Sequence, residues 1–187
     1  MSKARQPDDP VIDRTVRVED VPAAGETVTI DAPSGSLDAL AQAIGVERVV
    51  EARAELHLAP AAGGAVQVTG RAKAVVERVC VVTLDPFETT IDEPIDIRFA
   101  PPAEVEAAEA RLRSHPADDE SDPPDVPEPI VNGMLRLGPL VQEFLALGVD
   151  PYPRKPGAVF SGGRDEADER VSPFAALATL RPKPGDA

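Results

Sequence analysis

Two runs decide the fold: Val50-Glu-Ala-Arg-Ala-Glu-Leu-His-Leu58 and Val66-Gln-Val-Thr-Gly-Arg-Ala-Lys-Ala-Val-Val76. In the first, Val50, Ala52, Ala54, Leu56 and Leu58 alternate with Glu51, Arg53, Glu55 and His57. In the second, Val66, Val68, Ala72, Ala74 and Val76 alternate with Gln67, Thr69, Arg71, Lys73 and Glu77, while Val75 falls on the polar phase. A period of two with one charged face predicts strands of a sheet covered on one side only. The turn segment Ala59-Pro-Ala-Ala-Gly-Gly64 joins them as an antiparallel hairpin. A turn centred near Ala61–Ala62 places Glu51 opposite Lys73, a modestly favourable pair.

Outward from the hairpin, Ile95, Ile97 and Phe99 alternate with Asp96 and Arg98 as a third strand, after a turn at Asp85-Pro86. Val11–Val18 and Thr27–Ile30 are shorter strand candidates. Three segments break the β pattern. Ser36 reads as an N-cap, followed by the apolar stripe Leu37, Leu40, Ala41 and Ile44 and a stop at Gly45. Gly138-Pro139 opens a second helix whose apolar face is Leu140, Val141, Phe144, Leu145 and Leu147, ending at Gly148. It is short enough to need the sheet for support. Ser172-Pro-Phe-Ala-Ala-Leu-Ala-Thr-Leu180 reads as a short amphipathic helix with Pro173 at its first position. The fold class expected is α+β: a mainly antiparallel sheet, or a partly open barrel, with two or three short helices.

Charge divides the chain further. The 187 residues carry 19 basic and 33 acidic side chains, a net charge of −14. Residues 101–129 hold nine acids and two bases, half of that total, together with seven prolines. Such a composition cannot repay the entropy of ordering, so it is expected to be a disordered acidic linker, with a short helix at Glu104–Arg113. The organisation expected is a β-rich domain over 1–100, the linker over 101–129, and over 130–187 a helix and extended tail docking on the β domain. No apolar run reaches the ~20 residues of a membrane span. The start carries no apolar signal segment, and a cytoplasmic location is expected. One cysteine, Cys80, supports neither an internal disulfide nor a Cys-rich zinc site. The acidity argues against broad nucleic-acid binding, which needs clustered cations.

Catalytic signals are thin. His57 lies on a polar strand face and His115 in the acidic stretch, without motif partners. Gly63-Gly64 reads as a hairpin turn and not a phosphate loop. Carboxylates in a solvated linker lack the rigid burial that acid–base catalysis needs. Cys80 reads as a small buried apolar residue. No catalytic residue, metal site, cofactor or small-molecule substrate is expected. The informative segment is Asp150-Pro-Tyr-Pro-Arg-Lys-Pro-Gly157. Its prolines make it an extended spacer. Tyr152, Arg154 and Lys155 also suit stacking and anion contact, and Arg181 and Lys183 extend this into a small candidate partner-binding patch.

Three blocks carry a resemblance. They are Gly70–Cys80 through Asp85-Pro-Phe87 to Ile97-Arg-Phe99, then Leu135–Gly157, then the tail Ser172-Pro-Phe-Ala-Ala-Leu-Ala-Thr-Leu180. Together they resemble the YceD family of large ribosomal RNA subunit accumulation proteins. Many members of that family carry Cys-x-x-Cys before the Pro-Phe turn. Here Cys80 fits the first position and Thr83 the second, so no family metal site carries over. The resemblance implies a non-enzymatic role in synthesis, processing or accumulation of 23S rRNA. The partner it implies is a ribosomal protein, large-subunit pre-rRNA, or both. The acidic stretch favours a basic ribosomal protein, the Arg154-Lys155 segment offers RNA binding as the alternative, and a hydrolase is the least favoured reading.

Overall fold

The computed structural model describes residues 11–115 and 122–160. The elements in chain order are β1 (Thr15–Arg17), β2 (Glu26–Asp31), α1 (Leu37–Ile44), β3 (Arg48–Pro60), β4 (Val66–Val79), β5 (Pro86–Ala100), α2 (Pro102–Ser114), β6 (Glu128–Pro129), β7 (Met134–Arg136) and α3 (Leu137–Leu147). Five strands form one sheet in the order β2-β3-β4-β5-β6. Its pairs are antiparallel except the short parallel pair of β6 with β5. β1 and β7 form a separate antiparallel ribbon. The fold is α+β, and the sheet stays open, with β2 and β6 at its edges and no barrel closure.

The alternation in the two opening runs maps directly onto burial. Ala52, Ala54, Leu56, Leu58, Val66, Val68, Ala72, Ala74 and Val76 are buried, and Glu51, Arg53, Glu55, His57, Arg71 and Lys73 are exposed. α1 and α3 pack on the apolar face, α1 against β3 and α3 against β4 and β5, and the two helices touch. Leu40 of α1 and Leu137 and Leu145 of α3 join the same core as Leu56 and Leu58. No polar or charged side chain among the described residues is buried.

In the β3–β4 hairpin, two details differ from the sequence reading. Val50 does not point inward. The register shifts between Val49 and Glu51, so Val49 pairs with Val76 and takes the inner position, while Val50 is extruded as a bulge. The hairpin also turns later, at Ala62–Gly64, which sets Lys73 opposite Arg53 and not Glu51. Two cations face each other, and acids on the flanking strands offset the repulsion. Asp31 of β2 lies 3.8 Å from Arg53, and Asp92 of β5 lies 2.7 Å from Arg71 and 3.3 Å from Lys73. The hydrogen bond from Arg71, then that from Lys73, holds the Asp92 carboxyl below its usual pKa.

Glycines mark two close approaches. Gly70 lies on the inner phase of β4, where a Cβ would run into the Glu55 carbonyl of β3. Gly148 ends α3 in a right-handed conformation, φ −77°, and not as the left-handed cap that the sequence suggests. A Cβ at Gly148 would lie 2.6 Å from Ile91 Cγ2, so the glycine lets the helix end press on β5. Gly45 does adopt the left-handed cap, φ +73°, at the end of α1. Ser36 bonds the Pro33 carbonyl (2.8 Å) instead of capping the helix N–H groups.

The helix expected at 104–113 forms as α2. Val105 packs with Ala65 and Ala100, and Arg98 binds Glu104 at 2.9 Å. Further along, Glu128–Pro129 pairs with Phe99–Ala100, and buried Ile130 donates to the Ala100 carbonyl (2.9 Å). The acidic stretch is thus fastened to the end of β5 on both sides of residues 116–121.

Leu56 and Glu55 are neighbours on opposite faces of β3. Leu56→Ala should cost about 2–5 kcal/mol in urea denaturation, because it opens a cavity under both helices. Glu55→Ala should stay within about 0.5 kcal/mol.

Candidate functional site

The segment that follows α3 folds back onto the far end of the β4–β5 hairpin. The hairpin loop is closed by two backbone bonds, Cys80 N–H to the Asp85 carbonyl and Leu84 N–H to the Cys80 carbonyl, both 2.9 Å. The Val81 N–H then reaches the Pro153 carbonyl at 2.9 Å. Arg78, with only 11% of its side chain exposed, donates to the Asp150 carbonyl (3.0 Å) and pairs with Glu47 (3.0 Å). Lys155 Nζ lies 3.7 Å from Asp85.

Local chemistry shapes the segment. Asp150 Oδ1 accepts the Tyr152 N–H at 2.8 Å, the side-chain turn that Asp before Pro favours. Pro153 is buried, and Pro156-Gly157 makes a turn closed by Ala158 N–H to the Lys155 carbonyl at 3.0 Å. Gly157 supplies the positive φ, +77°, that the third position of such a turn requires. Tyr152 remains 72% exposed. Arg154 is exposed and makes no ion pair among the described residues.

Three sequence-selected candidates therefore share one tip. Tyr152 and Arg154 stand free, whereas Lys155 is partly spent on Asp85. Arg181, Lys183 and the expected helix at 172–180 lie outside the described residues.

Cys80 sits at the centre of this tip, fully buried, as the sequence suggests. Its sulfur accepts the Val82 N–H at 3.4 Å. A hydrogen bond from the Thr83 side chain, and further ones from the backbone of Lys155, Thr83 and Val82, bring its pKa from 9.0 down to about 7 against the opposing effect of burial. The thiol thus joins the hairpin loop to the Pro153–Lys155 segment, with Thr83 as a hydrogen-bond donor and not a second sulfur.

Sequence reasoning missed the apolar part of the tip. Val79, Val81 and Leu84 are 36%, 46% and 75% exposed. Leu84 also holds φ +60°, a conformation a bulky residue seldom adopts. The available signal was an apolar residue inside a Thr-Leu-Asp-Pro turn.

The concavity at the tip is small, about 80 Å³, beside Arg78, Thr89, Pro153 and Arg154. A wider open depression of about 830 Å³ lies along the charged face of the sheet, near Glu51, Arg53, Glu55, Arg71 and Lys73. Among the described residues, no three His, Cys, Asp or Glu side chains converge to hold a metal ion. These surfaces suit recognition: an α+β scaffold with one open sheet face and one mixed apolar and cationic tip.

Residues 68–181 match the model of the family described as large ribosomal RNA subunit accumulation protein YceD. The match spans more than half of the chain, and the chain belongs to this family. No curated protein matches the chain, and no solved structure does.

The lowered thiol pKa gives a signed prediction. Between pH 7 and 9 the unfolded chain binds the proton that the folded chain has released, so stability rises with pH across that window. The contribution is complete above pH 9 and gone below pH 7. In denaturation curves taken across this range, the advantage of the wild type over Cys80→Ala should grow with pH. In a Thr83→Ala background that growth should flatten.

Proposed function

We propose that this chain is a non-enzymatic factor in biogenesis of the large ribosomal subunit, supporting 23S rRNA accumulation by holding a basic ribosomal protein. The family description supplies the process, and names accumulation and not a reaction. The way its charges are spent favours the partner. On the open face, Arg48, Arg53, Arg71, Lys73 and Arg98 each lie within 4 Å of a carboxylate. Glu51 and Glu55, on the same face, make no such pair among the described residues. Phosphate binding requires cations free to replace counterions, and this surface offers few. The surplus is acidic, and residues 101–129 add their excess of seven negative charges. No helix among the described residues is long and apolar enough to cross a membrane. The reading places the protein in the cytoplasm, where ribosomal proteins meet pre-rRNA.

Replacing Asp118, Asp119, Glu120, Asp122 and Asp125 by their amides changes no residue of α2 or β6 and removes five negative charges. Retention of purified basic large-subunit proteins on the immobilised chain should fall about tenfold at low salt and converge with wild type at high salt. Equal affinity at low salt would remove the acidic stretch from the mechanism.

One observation favours a second reading. Tyr152 and Arg154 are both exposed, two residues apart in the segment, and these residue types stack on bases and meet phosphate. That reading expects a shallow salt slope, since few phosphates are neutralised. It also expects loss of pre-rRNA retention in filter binding by Arg154→Ala/Lys155→Ala. Undiminished retention excludes it.

A further inference from the structure

β2 pairs with β3 on one side and has no strand on the other among the described residues. The register fixes which of its backbone groups are used. The Ala32 N–H donates to the Ala52 carbonyl at 2.9 Å, so Ile30 and Val28, two and four residues back, exchange their bonds with Ala54 and Leu56. Thr27, Thr29 and Asp31 therefore aim their N–H and C=O groups away from β3. All three residues are exposed, and these groups meet no backbone partner among the described residues.

The two edges of the sheet are built differently. Along the far edge, β5 carries Pro94 at an outward position, where it offers no N–H, between the acids Asp92 and Asp96. The run Thr27-Val-Thr-Ile30 of β2 has no such guard. Its four residues are all β-branched, with no proline, no lysine and no bulge. An open edge of this kind is a template for another strand.

Charge selects that strand. Glu26 begins β2 and Glu55 lies opposite Thr29, and neither makes an ion pair among the described residues. Asp31 has only a 3.8 Å contact with Arg53. The short Thr29 side chain leaves Glu55 open to a long cation on the next strand out. A second copy of the chain would instead set these acids against themselves and −14 against −14.

We propose that β2 adds, as a further strand, an extended segment of the partner in which basic residues alternate with apolar ones. The basic side chains lie on the open face near Asp31 and Glu55, and the apolar ones beside buried Val28 and Ile30. The inference rests on the reading of a basic ribosomal protein as partner, and names where and in what conformation it is held.

The probe is an octapeptide of alternating lysine and valine. At about ten times its dissociation constant, amide exchange at Thr27 and Thr29, followed by NMR, should slow about tenfold. The glutamate–valine counterpart should leave it unchanged. Thr29→Pro removes one outward N–H and none of the bonds to β3. It should cut retention of purified basic large-subunit proteins about tenfold, while Thr29→Ala, which keeps the N–H, should stay within about twofold of wild type. Unslowed exchange at saturating peptide overturns the inference whether or not Thr29→Pro folds. Undiminished retention by a folded Thr29→Pro chain overturns it too, and leaves the ribosomal-protein reading standing. Exchange already slow in the free chain also overturns it, assigning the edge to a second copy if dilution removes the protection and to the same chain if it does not. Slowed exchange without retention of any basic large-subunit protein keeps the strand-adding edge and overturns the ribosomal-protein reading alone.

Discussion

A sheet with one apolar face cannot stand in water without a cover, and the two helices that supply it are too short to be stable alone. α1 has eight residues and α3 eleven. Each forms because Leu40, Leu137, Leu140, Val141 and Leu145 have a surface to bury against, and that surface is closed to water because they do. The inner face is made largely of small side chains, Ala52, Ala54, Ala72 and Ala74 among Val68 and Leu56. Small residues let the helix leucines fill the layer, and Phe99 is the one deeply buried phenylalanine among the described residues. The low aromatic content is therefore compatible with a tight core.

The same alternation fixes the other face. Because side chains alternate strictly, every residue that fills the core places a neighbour in solvent, and the β3–β4 register decides which charges meet. The observed register sets Arg53 against Lys73, a pairing that two strands alone would disfavour. Asp31 and Asp92 on the outer neighbours make it tolerable. The charged face is thus a four-strand arrangement, with cations spent internally on acids.

Much of this was legible in the residues. Period two, the Gly-rich turn and the apolar stripes of α1 and α3 gave the α+β class and the side of the sheet that is covered. What escaped was non-local. The Val50 bulge depends on which residue of the Val49-Val50 pair β4 accepts, and nothing in the local run distinguishes them. Gly148 reads as a helix stop from sequence, yet its cause is the closeness of Ile91, more than fifty positions earlier. Composition alone does not show that α2 is fastened within 101–129, because its anchors, Ala65, Arg98 and Ala100, lie outside that stretch. At the candidate site, Tyr152, Arg154 and Lys155 stood out as rare or charged residues in a proline frame. Their meeting with Cys80, Val81 and Asp85 could not, because it depends on the path of the chain after α3.

The extent of the family match sharpens what these parts are for. A unit beginning at residue 68 would lack β3 and α1, hence Leu40, Leu56 and Leu58, all fully buried. Such a unit could not close the core, so the first part of the chain is structurally required although the match does not include it. What the match does include is β5, α3, the tip and the tail. A cover need only be apolar and of the right size, and many sequences satisfy that. In this chain the two regions are one structural unit: β2, α1 and β3 from the unmatched part and β5 and α3 from the matched part close the same core, and the tip stands on that core.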